Sequence, residues 1–250
     1  MDTAPNTMDV LIVDEAHRLN EKSGFYQNQG ENQIKEIIGA AKCSVFFLDQ
    51  DQRVTIRDIG DREEIRRWAA AAGARLTELA LESQFRCNGS DGYLSWINNT
   101  LQIEETANPT LAGIRYDFRV FDSPNDLRAH IVALNEESNK ARMVAGYCWD
   151  WKGKKNPDIE DVTIPEYGFS MRWNLDSDGS LWLIAPDSVS EIGCIHTCQG
   201  LELDYIGVII GPDLVVRDGQ VVTDAGKRSS QDRSIRGYKS MLKEEPETAK

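Results

Sequence analysis

The stretch 10-VLIVDEAHRL-19 runs four apolar residues into Asp14 and Glu15, with His17 two positions on. A carboxylate at the carboxyl end of a buried strand can hold Mg²⁺, directly or through water. An adjacent Glu can orient and deprotonate the water that attacks a γ-phosphate. Successive residues leaving a strand point in different directions, so Asp14 can face the metal while Glu15 faces the water. In 45-VFFLDQDQRV-54 a second apolar run ends in Asp49, Gln50, Asp51 and Gln52. A Gln amide both donates to a phosphate oxygen and accepts from water, which suits Gln52 to reporting whether a γ-phosphate is present.

Two further stretches carry the same kind of chemistry. In 81-LESQFRC-87 a strand end is followed by Arg86, whose planar fork donates two parallel hydrogen bonds to a phosphate and keeps its charge at physiological pH. In 193-GCIHTCQGLELDYIGVIIG-211, His196, Thr197 and Gly200 precede Glu202 and another apolar run. Gly200 lets the backbone come close to a ligand, and Glu202 can accept from a ribose hydroxyl.

These groups need strands whose carboxyl ends lie side by side. Val10–Val13 reads as a buried strand, followed by a polar loop to Asn32 and a helix near Gln33–Ala41. Ser44–Leu48 is predicted as a second strand, Arg62–Ala72 as a helix and Arg75–Leu81 as a third strand. The pattern restarts with a helix at Ser90–Asn99, a strand at Tyr116–Phe121, a helix at Asn125–Asn139 and a strand at Arg142–Tyr147. Strands at Leu181–Ala185 and Tyr205–Ile210 follow. Between them, Trp149–Ser180 is rich in Trp, Asp, Gly, Lys and Asn, and an inserted loop or short hairpin is predicted there. The alternation of strands and helices implies an α/β fold with mostly parallel sheets and helices on both faces. A domain boundary falls near residues 81–90. The polar, charged tail is expected to fray at Pro246–Lys250.

In order, VDEAH, LDQDQ, LESQFR and HTCQGLELD resemble motifs II, III, IV and V of superfamily-one helicases. With AGYCWDW, Trp173–Asn174 and EIGCIHTCQGLELDYIGVIIGPDL, the chain is similar to one branch of them, the Schlafen group 3-like DNA/RNA helicase domain, over about residues 8–240. The resemblance implies a RecA-like fold of the P-loop NTPase type. It implies a partial first domain at residues 1–80 and a second at 81–250, with the insertion at about 149–180. It also implies roles. Asp14 coordinates Mg²⁺ and Glu15 is the catalytic base. Gln52, counted from Asp49, senses the γ-phosphate, and Arg86 is an arginine finger from the second domain. Gly200 and Glu202 contact phosphate and ribose, while His17, His196 and Thr197 couple the nucleotide to the nucleic-acid side. ATP and Mg²⁺ are the expected cofactors and DNA or RNA the expected partner.

Such an ATPase needs GxxxxGK[ST], whose backbone N–H groups cradle the phosphates, and this sequence has none. GQVVTDAGKRS, at Gly219–Ser229, has the wrong spacing between its glycines, Arg in place of the hydroxyl residue, and a position after the last motif. Motif VI is also missing. The expectation is a chain cut at both ends, with the phosphate loop in a preceding segment and little ATP hydrolysis by these residues alone.

Bulk properties narrow the classes. Hydrophobic residues make up 40% of 250, and no apolar run approaches the length of a membrane span. The start, MDTAPNTMD, has no basic region followed by an apolar one, and the five cysteines form no small-scaffold pattern. A reducing, cytoplasmic setting without a membrane is the expectation. The net charge of −13 argues against binding nucleic acid by bulk phosphate neutralisation. Local basic patches remain at Arg62–Arg67, Trp151–Lys155 and Lys227–Arg236. Cys194, His196 and Cys198 would share one side of a strand, but no second Cys or His pair stands nearby, so motif or core roles are preferred to zinc. Trp149, Trp151, Trp173 and Trp182 are assigned to packing rather than to a base-stacking platform. Two rival readings are a non-catalytic regulatory or interaction module, and a metal-dependent nuclease built on Asp14, Glu15 and Asp49. The nuclease explains neither Gln52 nor Glu202.

Overall fold

β-Branched and other apolar residues without a turn former favour extended backbone, and strand β1 (Met8–Val13) forms where the sequence has them. The structure, a computed structural model, describes residues 4–22, 29–49, 52, 58–80, 90–176, 181–198 and 201–244. The chain divides into two units, Met1–Ala80 with Arg233–Lys250, and Leu81–Asp232.

In the first unit, helix α1 (Gln33–Ala40) starts at Asn32, whose side chain accepts from the Lys35 N–H and satisfies one orphan donor of the first turn. It runs directly into β2 (Ala41–Phe46), so the strand predicted at Ser44–Leu48 begins and ends earlier. The two strands pair in parallel, from Met8 opposite Ala41 to Val13 opposite Phe46. Helix α2 (Arg62–Ala71) is capped by Asp61 in the same way. Ile34, Ala41, Ile65 and Ala69 are buried, whereas Met8, Val10, Ile12, Val45 and Phe47 are exposed.

The third strand predicted at Arg75–Leu81 does not form over the described residues 75–80. Arg66 donates from both Nε and Nη2 to the Glu78 carboxylate, the second bond at 2.9 Å, and Arg62 adds an ion pair at 3.6 Å. This fork holds the segment to α2, and Leu79 is left 90% exposed. Apolar alternation alone read as a strand here because the sequence does not show that capture.

In the second unit, helix α3 (Asp91–Thr100) starts at Ser90 and α4 (Pro124–Ser138) at Ser123, the latter with Pro in its first turn, where no N–H is missed. Strands β3 (Ala141–Ala145), β4 (Val162–Ile164), β5 (Phe169–Trp173), β6 (Glu191–Gly193) and β7 (Tyr205–Ile209) join in the order β4-β5-β6-β3-β7. Only the β4–β5 pairing is antiparallel among these described strands. Every residue of β3 is buried, as expected of a central parallel strand covered on both faces. Ile131 of α4 packs into the core with Met143, Phe169, Met171, Trp173, Ile192 and Ile209. A hairpin of β8 (Leu214–Arg217) and β9 (Gln220–Thr223) turns at Asp218 and Gly219, both with positive φ, the conformation a tight primed turn demands.

The second unit departs from the pattern in three respects. Tyr116–Phe121 is not a strand: Tyr116 stacks on Tyr93 at 3.6 Å and Phe118 meets Trp96 edge-on at 4.7 Å, so its alternating aromatics serve α3. Leu181–Ala185 is a turn rather than a strand, and it buries Trp182. Within 149–180 the short hairpin forms as β4–β5, but β5 also pairs in parallel with β6 and so joins the main sheet. The overall class is α/β with a mostly parallel sheet. Among the described residues, no helix is long and apolar enough to cross a membrane.

Buried Arg142, in the middle of this sheet, is ringed by neutral acceptors. Its Nε donates to Ser188 Oγ at 3.0 Å, Nη1 to Asn135 Oδ1 and to the Ala141 carbonyl, and Nη2 to Asn139 Oδ1, Leu183 O and Ala185 O. The guanidinium therefore ties the carboxyl end of α4 to the 183–188 turn. Burial holds its pKa below the ordinary arginine value.

Candidate functional site

Two neighbouring strands in parallel end on the same edge of their sheet, and that edge is where reactive groups gather in open α/β sheets. Val13 pairs with Phe46, and one step on, the Phe47 N–H donates to Val13 O and the Ala16 N–H to Phe47 O, both at 2.8 Å. Asp14 and Glu15 leave β1 on this edge, and Asp49 and Gln52 follow β2 on the same edge. The structure thus brings four sequence-predicted residues to one side of the first unit.

Their local geometry is specific. Asp14 is exposed, and its Oδ1 accepts from the Glu15 N–H at 2.9 Å. Glu15 has φ 51° and ψ 41°, the left-handed region, which costs a non-glycine residue roughly 1–2 kcal/mol. His17 lies in the short 3₁₀ turn Ala16–Arg18 and is 1% exposed. Its Nε2 stands 3.2 Å from Glu15 Oε2, an ion-pair separation rather than an aligned hydrogen bond, and its Nδ1 has no hydrogen-bond partner among the described residues. Gln52 donates from Nε2 to Asp49 Oδ2 at 2.8 Å, so its amide is held at the strand end by the Asp three residues earlier.

In the second unit, His196 and Thr197 sit on α5 (Ile195–Cys198), a single turn at the carboxyl end of β6. Cys194, His196 and Cys198 therefore do not lie on a strand, and the alternation that would align them is absent. The Thr197 hydroxyl donates to Cys194 O at 2.8 Å and accepts from the Cys194 N–H at 2.7 Å, closing the turn on itself. His196 is exposed, its ring 6.0 Å from that of Tyr147. The Tyr147 hydroxyl donates to Cys194 Sγ at 3.3 Å, and burial raises its pKa. Glu202 is exposed beyond the turn. Arg86 and Gly200, with Gln50, Asp51 and Gln199, lie outside the described residues.

Sequence reasoning missed what supports the β6–α5 turn. A Cβ on Gly193 would lie 2.5 Å from Trp182 Cζ2 and 2.9 Å from Thr197 Oγ1, so the buried indole packs directly against the glycine. Gly193→Ala is expected to lower the stability of this unit by about 1–3 kcal/mol through overpacking. Urea unfolding would show it as a lower midpoint at unchanged slope; an unchanged midpoint would contradict it.

A cleft of about 620 Å³ lies in the same unit, lined by Cys148, Trp149, Asp150, Lys152, Asp161 and Arg228 among others, and by none of the predicted site residues. Burial, then a hydrogen bond with Asp213, pushes the Cys148 thiol up to about 12, so it is no nucleophile near neutrality. Arg228 is occupied with Asp213 at 3.6 Å and Asp232 at 2.8 Å. Among the described residues no group of three His, Cys, Asp or Glu side chains is placed to hold a metal, so Asp14, Glu15 and Asp49 do not form the carboxylate cluster a two-metal nuclease requires.

The model of the Schlafen group 3, DNA/RNA helicase domain matches residues 1–250. An uncharacterized protein of Saccharomyces cerevisiae, YPL245W, is 25% identical over 232 residues, covering 81% of this chain and 49% of the yeast protein. The chain thus spans about half the length of the curated relative it matches. No solved structure matches. With the family match running the whole length, the chain belongs to the Schlafen group 3 DNA/RNA helicase domain family.

Proposed function

We propose that this chain is part of an ATP-dependent DNA or RNA helicase or translocase of superfamily-one type, RecA-like in its fold, that hydrolyses ATP at a Mg²⁺-dependent site. The observation that supports it most is the parallel register of β1 and β2, which delivers Asp14, Glu15, Asp49 and Gln52 to one edge. Nothing in the packing of two strands requires a base and an amide sensor at their ends.

The residues present fit the nucleotide and its metal. Mg²⁺ is commonly held by one or two carboxylates together with phosphate oxygens and water, so a single exposed Asp14 suffices and an all-protein cage is not needed. Bound there, the ion would neutralise charge on the β- and γ-phosphates. Glu15 would take the proton of the attacking water, and its contact with His17 fixes where its carboxylate stands. Gln52 would exchange its bond to Asp49 for one to the γ-phosphate. In this reading the phosphate loop comes from a preceding segment of a longer protein, and a strand of nucleic acid is the partner.

The test compares the longer protein with the 250-residue chain for binding of Mg²⁺ and ATP by calorimetry, with and without single-stranded DNA or RNA. The longer protein is expected to bind at least about tenfold more tightly, a difference of roughly 1.4 kcal/mol, and to be stimulated in turnover by one of the nucleic acids. Equal binding by the two would overturn the division of the site.

A further inference from the structure

Glu15 stands in a backbone conformation that its side chain does not favour, so the surroundings must impose it. Those surroundings lead to a residue that none of the motifs contains. The Arg18 N–H donates to Glu15 O at 2.9 Å and the Leu19 N–H to Ala16 O at 3.2 Å, closing the turn. Over this turn lies the segment from Asp58 to Asp61. The Ile59 N–H donates to Leu19 O at 2.8 Å, Asp58 bridges to Asn20, and Asp58 and Gly60 are buried. Gly60 rests on the Ala16–His17 peptide so closely that a Cβ there would stand 1.8 Å from Ala16 O and 2.7 Å from His17 Cα. The neighbouring atoms are backbone, which cannot swing aside as a flexible side chain can. From His17 the contact passes to Glu15, through the 3.2 Å approach of Nε2 to Oε2.

We propose that Gly60 is a positioning residue for the Glu15 carboxylate, acting through the Ala16–His17 peptide and the buried His17 ring. The proposal rests on the reading of Glu15 as the base of ATP hydrolysis. Any side chain at position 60 must lift the 58–61 segment from the turn by more than an ångström, and the peptide that carries His17 is the first thing displaced. Glycine serves here for close approach rather than for a positive φ.

The test uses two readouts. In the longer protein, Gly60→Ala is expected to lower kcat for ATP about 100-fold, the scale of an ångström-sized misplacement, with KM changed less than about threefold. The control Gly39→Ala, whose Cβ would meet nothing within 4 Å, is expected to leave both unchanged. In the 250-residue chain, which has three histidines, Glu15→Gln is expected to shift the His17 ring resonances in NMR in the wild-type background but not alongside Gly60→Ala. Should Gly60→Ala unfold the unit, His17→Phe, which keeps a buried ring and removes the Nε2 that faces Glu15, carries the kinetic readout and is expected to lower kcat with KM preserved. Unchanged kcat, or an equal His17 shift in both backgrounds, would overturn the proposal. If the longer wild-type protein turns over no ATP, the functional reading fails, and the His17 shift alone decides whether Gly60 sets the Glu15 contact.

Discussion

Replacing Arg142 by methionine is expected to cost the second unit about 3 kcal/mol or more, because several buried acceptors would each lose a donor at roughly 1–3 kcal/mol. That is a large part of the roughly 5–15 kcal/mol that holds a domain together. Methionine fills similar volume, so the loss comes from polarity rather than from a cavity. Four carbonyls, two side-chain amides and a hydroxyl surround the guanidinium, and several of those acceptors would be left dry and unbonded. The positive charge has no carboxylate among these partners. It sits instead at the carboxyl end of α4, beside the Asn139 cap, where the helix presents its negative pole. Arg142→Lys keeps the charge with one nitrogen in place of three, so it is expected to recover only part of the loss. Arg119→Met is the comparison, since Arg119 pairs with Asp117 at an exposed site and such pairs contribute little. Denaturant melts followed by circular dichroism would rank the three. A melt of Arg142→Met indistinguishable from that of Arg119→Met would contradict the role assigned to the guanidinium.

Where the sequence was legible, local pattern and tertiary context agreed. Val10–Val13 and Tyr205–Ile210 read as strands because a short apolar run between polar breaks has few other uses, and both are strands, although Val10–Val13, expected to be buried, leaves Val10 and Ile12 exposed. The helices predicted at Gln33–Ala41, Arg62–Ala72, Ser90–Asn99 and Asn125–Asn139 form as α1 to α4, with ends shifted by about one residue. Placing Asp14, Glu15, Asp49 and Gln52 on one edge followed from the parallel sheet, which the alternation of elements already implied. The misreadings share a cause: an apolar run does not name what it packs on, and Leu79, Val120, Leu181 and Ile184 stay exposed. Leu181–Ala185 has the composition of a strand, yet Trp182 fills space over Gly193, and Arg142 takes the carbonyls of Leu183 and Ala185. Tyr116 and Phe118 alternate because their rings face α3, while Phe121 meets His130 of α4. Gly60 was invisible for a different reason. Its need for a hydrogen in place of a side chain is created by Ala16 and His17, far away in sequence.

Glu15→Gln is expected to have the largest effect on chemistry. The amide keeps the shape of the carboxylate and removes its ability to take a proton, so binding should survive while turnover does not. Loss of a positioned general base costs about 10²–10⁴ in rate. Stability should move little, because Glu15 is 38% exposed and its interaction with His17 is a surface-edge contact. The contact with His17 should weaken with the charge, and the left-handed backbone, held by the Ala16 and Arg18 N–H bonds, should remain. A decrease in kcat with a preserved KM therefore separates the base from a group that only binds.

The most direct measurement of the central claim is steady-state phosphate release from ATP with Mg²⁺ by the longer protein, set against its Glu15→Gln variant and against the 250-residue chain. The account expects turnover by the longer protein, a loss of about 10²–10⁴ in the variant, and little turnover by the shorter chain. Undiminished turnover with Gln at position 15, or turnover by the 250-residue chain alone that Glu15→Gln abolishes, would contradict it.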